Sequence, residues 1–335
     1  MALRPTSDTA LQRPDLGQIA YEINTDAPTM GYIGGIVFPD FPVPVSSMEY
    51  PVMPKEALLQ LLDTSRGPYG HYNRWEAAFE SGHFKTTERG LEAKKDDRYA
   101  KLYATLFDYE ASLSRLNQEG ILRKKEYDIA AKVFNTTQFT PNNASVAWST
   151  AATAAPRTDI LAAKAAMRAL GVVPNALIIP YQGLLWLQNM TAVQSAITNL
   201  FADPQRTGMI EVRHLEAYLE ISQIIVAGSQ YNSARRGQSA TIAEIWGSRY
   251  AMLARIASPG DDIKEPCIGR TFRWNEGANE EIIVEDYRDE TVRADIIRNR
   301  HDVDYAYIRS YDDSGAVKSD ISAASGYLID MTAAT

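Results

Sequence analysis

Four histidines and one cysteine are the side chains of this 335-residue sequence best suited to nucleophilic, general-base or metal chemistry. His71, His83, His214 and His301 are scattered, and none has a second ligand at helical spacing. His214 reads as a helix-surface residue, and Cys267 falls in an apolar run that reads as a buried strand with an inert thiol. Paired acids occur at Asp96-Asp97, Asp261-Asp262, Glu280-Glu281 and Asp289-Glu290, and any two brought together could act as general acid and base. Adjacent carboxylates at element ends more often cap helices or solvate turns, and they are read that way. Gly31-Tyr-Ile-Gly34-Gly35 lacks the lysine and the following helix of a phosphate loop. There is no Gly-x-Ser-x-Gly elbow and no His-Glu-x-x-His. Arg235-Arg236-Gly237-Gln238 is a basic loop that suits a phosphate or a partner's carboxylates, and suits a solvated turn equally well. These residues point to no catalytic group, no metal and no cofactor.

Composition narrows the classes further. At 45% apolar and 23% charged the chain is globular, and its length suggests two or three core-bearing lobes. A formal charge of −8 argues against a dedicated nucleic-acid binder. A single cysteine excludes an internal disulfide framework. The first residues lack the apolar stretch of a secretory signal, and no run approaches the ~18–20 apolar residues of a membrane span. The expectation is a soluble protein that is made inside a cell without secretion and engages no membrane.

The elements that would position these residues divide the chain unevenly. Residues 1–54 carry eight prolines, from Pro5 to Pro54, yet also Ile33, Val37, Phe38, Phe41 and Val43, which call for burial. Proline fixes φ and removes a donor, so long helices and central strands are not expected there. Such an arm either wraps its own domain or clasps a neighbouring subunit. Residues 55–95 centre on Arg66-Gly67-Pro68-Tyr69-Gly70, a loop tip, with His71, Tyr72, Arg74 and Trp75 beside it. Aromatics with a polar handle suit an interface. From Asp97 to about Phe134, Tyr99, Leu102, Leu106, Tyr109, Leu113, Leu116, Gly120, Tyr127, Ala130 and Phe134 recur at steps of mainly three and four. That spacing predicts one helix of ~55 Å, with room for a kink at Gly120. Asn175–Pro180 reads as a buried strand, Thr158 as the cap of a helix ending at Gly171, and Gln223–Gly228 as a second strand after two helices. The tail alternates through Val303, Tyr305 and Tyr307, turns at residues 312–315 and continues in two further strands, a terminal sheet on which the long helix can lie.

The order of arm, loop, long helix, inserted α+β lobe and terminal sheet resembles that of tailed-bacteriophage major capsid proteins of the Hong Kong 97 type. The residues are similar too: Ala131-Lys-Val-Phe-Asn135 at the helix end, Asn175-Ala-Leu-Ile-Ile-Pro180, and Tyr231-Asn followed by Gly237-Gln and Ile245-Trp246-Gly247. Glu265-Pro266-Cys-Ile-Gly269-Arg-Thr-Phe272-Arg-Trp274 and Ser325-Gly-Tyr-Leu-Ile329 resemble the same branch. The resemblance implies an α+β capsid fold with an N-terminal arm (1–54), an extended loop (55–95), a peripheral domain built from the spine helix region (96–156) and the terminal strands (295–335), and an inserted axial domain (157–294). It further implies a major capsid protein of a tailed double-stranded DNA bacteriophage, assembling into an icosahedral shell of hexamers and pentamers. Its partners would be identical subunits, a scaffolding protein and portal during assembly, packaged DNA inside and a decoration protein; its place would be the virion, after assembly in the host cytoplasm. Phe38, Phe41, Arg66, Tyr69, His71, Tyr72, Arg74, Trp75, Arg235 and Arg236 are the expected intersubunit contacts. The alternatives are an encapsulin-type compartment shell and, in a different class, a carboxylate-dependent hydrolase.

Overall fold

The computed structural model describes residues 11–54, 59–76, 79–103, 105–200, 210–263, 265–275, 282–312 and 314–334. Its longest strand, Ala294–Ala306, has every one of its 13 residues buried or half-buried. On one edge it pairs antiparallel with Thr87–Asp96, Val303 standing opposite Thr87 and Ala294 opposite Asp96. On the other it pairs first with Ile283–Asp289 and then with Arg270–Trp274. Asp40–Val43 joins Arg270–Trp274 in parallel at the sheet edge, where Pro42 forfeits no inner-ladder bond.

The helix Tyr109–Val133 lies over Thr87–Asp96 and Ala294–Ala306. It spans 25 residues, roughly 37 Å, and is shorter than the spacing predicts because the backbone breaks before it. Asp97–Tyr103 is a separate helix with no buried residue, and Asp108 caps the second, its side chain accepting from the Ala111 amide at 3.1 Å. The helix runs unbroken through Gly120, whose missing Cβ is the space taken by Leu91 Cδ1. The buried face also differs from the predicted one. Ser114, Asn117, Gln118, Ile121, Leu122, Glu126, Ile129, Ala130 and Val133 face inward, whereas Leu116 and Tyr127 are exposed. Asn117 Nδ2 donates to the Ile297 carbonyl at 3.1 Å, so part of the helix sits on the sheet through amides rather than through apolar contact.

Glu126 fastens three separate segments. It is 2% exposed, and its carboxylate accepts from the amides of Ile33 (2.9 Å) and Gly34 (2.7 Å) and from the Trp246 indole (2.5 Å). Burial pushes its carboxyl above the usual range, against these donors, which favour the charged form. Gly34 has no substitute here, since a Cβ would stand 2.6 Å from Glu126 Oε2.

A second sheet orders Asn142–Ala144, Gly326–Ala334, Tyr250–Ala254, Ala176–Pro180 and Gln223–Ala227. Ala176–Pro180 is buried throughout because both faces are covered. Leu177 and Ile179 belong to one core with Ile160, Met167, Leu187 and Leu215 of the surrounding helices, while Ile178 belongs to another with Ile129, Phe38 and Leu328. The helix Pro156–Ala169 starts three residues earlier than predicted, with Pro156 in the first turn, so Thr158 is not its cap.

Three expectations of organisation are corrected. Gly326–Ala334 belongs to this second sheet, not to the sheet beneath the long helix, and Arg270–Trp274 and Ile283–Asp289 belong to the long helix's sheet, not to the inserted lobe. Local alternation shows a strand but not its partner, because pairing is fixed by remote register. The proline-rich segment holds a helix, Pro14–Asp26, which proline opens without losing a bond, and Leu16 and Ala20 bury against Val284 and Ile297. Ile33, Val37, Phe38, Tyr50 and Val52 are buried within their own chain. Residues 11–54 therefore wrap their own domain, and residues 1–10 lie outside the described residues.

Glu126→Ala leaves three buried donors unpaired and is expected to cost about 3–5 kcal/mol, read as a lower urea midpoint. Leu116→Ala, on the exposed side of the same helix, should change stability by less than about 0.5 kcal/mol. Equal midpoint shifts for the two would contradict the fastening role.

Candidate assembly surfaces

The hairpin Ser47–Val52 with Glu80–Lys85 carries a long excursion, Val52 standing opposite Glu80 at its outer end. Its base is fixed by packed rings: Phe84 stacks on Phe272 at 4.6 Å and Tyr50 lies tilted against it at 5.3 Å, centroid to centroid. Beyond the hairpin, residues 59–76 have no regular structure and every one is exposed. The tip is held by its own bonds. Arg66 Nε donates to the Gly70 carbonyl at 2.7 Å, the Arg66 guanidinium covers the Tyr72 ring at 4.6 Å, and Asn73 Nδ2 reaches the Asp63 carbonyl at 3.0 Å. The Ser65 side chain and amide hold the Asp63 carboxyl below its usual range. Tyr69 is wholly exposed, Tyr72 72% and Trp75 46%. Such a tip loses little further order when it docks.

The predicted contact residues separate into three places. Arg66, Tyr69, His71, Tyr72, Arg74 and Trp75 share this exposed tip. Arg235 and Arg236 lie exposed in the turn of a small hairpin, Gln230–Asn232 with Ile242–Glu244, whose Asn232 side chain accepts from the amides of Ala234 (3.0 Å) and Thr241 (2.8 Å). The Tyr-Asn…Gly-Gln run of the sequence builds that turn, and its Ile-Trp-Gly end delivers Trp246 to Glu126. Phe38 and Phe41 are not surface residues: Phe38 is completely buried, and Phe41 is half-buried with its ring edge-on to Phe272 at 6.0 Å. Apolar type alone could not separate them from the tip aromatics.

The sequence reading also missed a surface. Tyr99, Leu102, Leu106 and Phe107, predicted inside a helix stripe or unremarked, are 46–73% exposed around the break between the two helices. The overlooked signal was Asp108, a cap residue that starts a new helix. Of the acid pairs, Asp97 engages Arg288 through two hydrogen bonds (2.6 and 2.7 Å), Asp96 accepts from the Arg98 amide, and Asp289 from the Thr291 amide. Glu280 and Glu281 lie outside the described residues. Cys267 is fully buried, and burial pushes its thiol up. No helix among the described residues is long and apolar enough to cross a membrane.

This architecture aligns over nearly its whole length with solved structures of low sequence identity. A phage-related protein from Bordetella bronchiseptica matches 96% of this chain and 98% of its own at 18% identity and a TM-score of 0.68. The chain has a Hong Kong 97-type capsid fold. A virus-like particle from Pyrococcus furiosus matches 93% of the chain and 98% of its own at 10% identity and a TM-score of 0.53, and the capsid of cyanophage P-SCSP1u 98% and 90% at 9% and 0.51. No protein-family model and no curated protein matches the sequence.

A groove of about 1050 Å³ runs between Thr87–Leu91 and the Gly120–Lys132 stretch of the long helix, with His301 and Tyr305 lining it. His301 is 6% exposed; burial, then the charge of Lys125, with Arg89 and Arg273, outweighs Asp40 and holds its imidazole down at about 3, from an ordinary 6.5. A buried neutral histidine contributes stability above its unfolded value and loses it as pH falls, because unfolding frees a base that takes a proton. The fold is therefore expected to weaken from about pH 6.5 downward towards 3. His301→Gln should flatten that part of the stability profile, measured by denaturant midpoints between pH 7 and pH 4; an unchanged slope would contradict the assignment.

Proposed function

We propose that this chain is the major shell subunit of a tailed double-stranded DNA bacteriophage and acts by assembling with copies of itself. The observation that supports this best is the union of a capsid fold, matched along 96% of the chain, with an ordered aromatic loop that its own chain leaves uncovered. A loop on one face that fits a different surface of the next copy makes a heterologous contact, which propagates and closes where curvature permits. Many modest contacts then hold a shell whose individual pairs are weak. In this reading the subunit is structural and non-enzymatic, and hexamers and pentamers form around a scaffolding protein and a portal in the host cytoplasm. Packaged DNA fills the interior, and a decoration protein completes the partners. The net charge of −8 suits a wall that confines DNA without gripping it.

The reading divides the chain into an arm through residue 54, an extended loop over 55–95, a peripheral domain around the long helix and its sheet, and an axial domain around the second sheet. A compartment shell is the rival on the same fold. The bacteriophage reading is favoured because the chain aligns with a phage-related protein at a TM-score of 0.68 and with a cyanophage capsid at 0.51.

Negative-stain microscopy of the purified chain, alone and with a co-expressed scaffold, should show closed particles or tubes with walls of uniform thickness. Discrete small particles under both conditions would contradict the proposal. Tyr72→Ala with Trp75→Ala should reduce assembly while leaving the subunit's thermal melt within about 0.5 kcal/mol of the parent, as expected for exposed positions. A matching loss of folded subunit would make them structural residues instead.

A further inference from the structure

The groove between Thr87–Leu91 and the long helix gathers polar groups that lack partners. Strand pairing sets Arg89 opposite His301, and period-two alternation carries the same sheet face on to Tyr305. The Arg89 guanidinium covers the Tyr305 ring at 4.9 Å. The Tyr305 hydroxyl is buried without a hydrogen bond. Among the described residues, neither the His301 ring nor the Lys132 ammonium has a hydrogen-bond or ion-pair partner. Lys132 rests over the Tyr307 ring at 5.1 Å. Burial pushes its ammonium below the usual value, with Arg309 and Arg89 adding to the effect and Asp304 and Asp128 opposing it. A half-buried cation of this kind is a cost to the subunit that an anion in the groove would offset.

The charges of the groove do not balance. Arg89, Lys124, Lys125 and Lys132 line it. Asp128 serves the first two, accepting from Arg89 and, at 2.6 Å, from Lys124. Asp40, behind the lining, takes Lys125 at 3.1 Å and stands 3.7 Å from Arg273. Glu88 also lines the groove, but its carboxylate stands 3.9 Å from Arg300. Three carboxylates thus face the four lining cations together with Arg273 and Arg300. The other end is apolar. Leu91 Cδ1 takes the place a Gly120 Cβ would fill, beside the buried Ile121. Gly120 and Lys132 stand roughly 18 Å apart along one helix, so the apolar and the cationic ends are separate.

We propose that this groove binds a free organic anion, a carboxylate, sulfonate or phosphate head on an apolar body, with the head among Lys132, Arg89 and His301 and the body towards Leu91 and Ile121. At about 1050 Å³ the groove is far roomier than a bare inorganic ion needs. The site belongs to the single subunit and stands whether or not the chain builds a shell.

Calorimetric titration of the purified full chain tests it, with dodecanoate below its micelle concentration as the probe. One dodecanoate should bind per chain, and inorganic phosphate, which lacks the body, should bind about tenfold more weakly or worse. Lys132→Gln removes a charge-assisted contact and should weaken dodecanoate about tenfold. It should leave the subunit's melt unchanged or raised, because a half-buried charge goes with it; a structural lysine would lower the melt. Gly120→Leu fills the apolar end and should abolish binding with the fold kept. Among the described residues only the flexible end of Leu91 lies within 4 Å of the new Cβ, and leucine favours a helix over glycine. Arg235→Gln, at an exposed cation on the small hairpin, should leave the affinity unchanged. No saturable binding, equal affinity for phosphate, equal weakening by Arg235→Gln, or unchanged affinity in both groove variants would overturn the site. Flotation of the chain with phosphatidylglycerol vesicles, without binding of dodecanoate, would assign the groove to a membrane lipid and overturn the free ligand.

Discussion

The carboxylate of Glu126 holds this subunit together at the point where its parts would otherwise separate. It stands on the long helix, accepts two amides from the N-terminal segment and an indole from Trp246 just after the small hairpin, and is shut away from water. A buried acceptor of this kind is demanding, since any donor lost is a donor stranded. Gly34 is small because Glu126 Oε2 is there, and Trp246 ends its run where the carboxylate can be reached. One interaction thereby ties residues 33–34, 126 and 246 into a unit whose remaining core, Ile129, Val133, Phe38 and Ile178, is apolar.

That internal closure decides what is left over for other molecules. The N-terminal segment is used up on its own chain, as Phe38, Tyr50 and Val52 show by their burial. Among the described residues, the surfaces the fold leaves uncovered include the loop tip beyond Glu80 and the rings at the helix break. Both are ordered by local bonds rather than by a core, the tip by Arg66 on Gly70 and Tyr72, the patch by ring stacking. A subunit with a sealed interior and two unlike exposed aromatic surfaces is suited to open-ended association, and the capsid fold agrees with that use.

Much of this was legible in the sequence, and the failures have physical causes. Asn175–Pro180 reads as a buried strand because its apolar run is short and unbroken, and Ala176–Pro180 is one, while the loop tip is marked by Gly-Pro and Gly flanked by aromatics. The long helix was found, but its inward face was not. The true face carries Asn117, Gln118 and Glu126, polar residues that pattern reading assigns to solvent, and the seven-residue step from Gly120 to Tyr127 in the predicted stripe spans Glu126. Phe38 and Phe41 look like Tyr69 and Trp75 by composition, and only long-range packing separates them. The partners of the last strand were equally hidden, since Tyr250–Ala254 lies far from Gly326–Ala334 in the chain.

Cryo-electron microscopy of the assembled particle tests the central claim most directly: each subunit is closed internally and joined externally through its loop. The account predicts density for residues 59–76 lying on an adjacent subunit, with Glu126 still bonded to Ile33, Gly34 and Trp246 within each copy. A loop folded back on its own subunit, or an N-terminal segment exchanged between neighbours so that Glu126 meets another chain's amides, would contradict it.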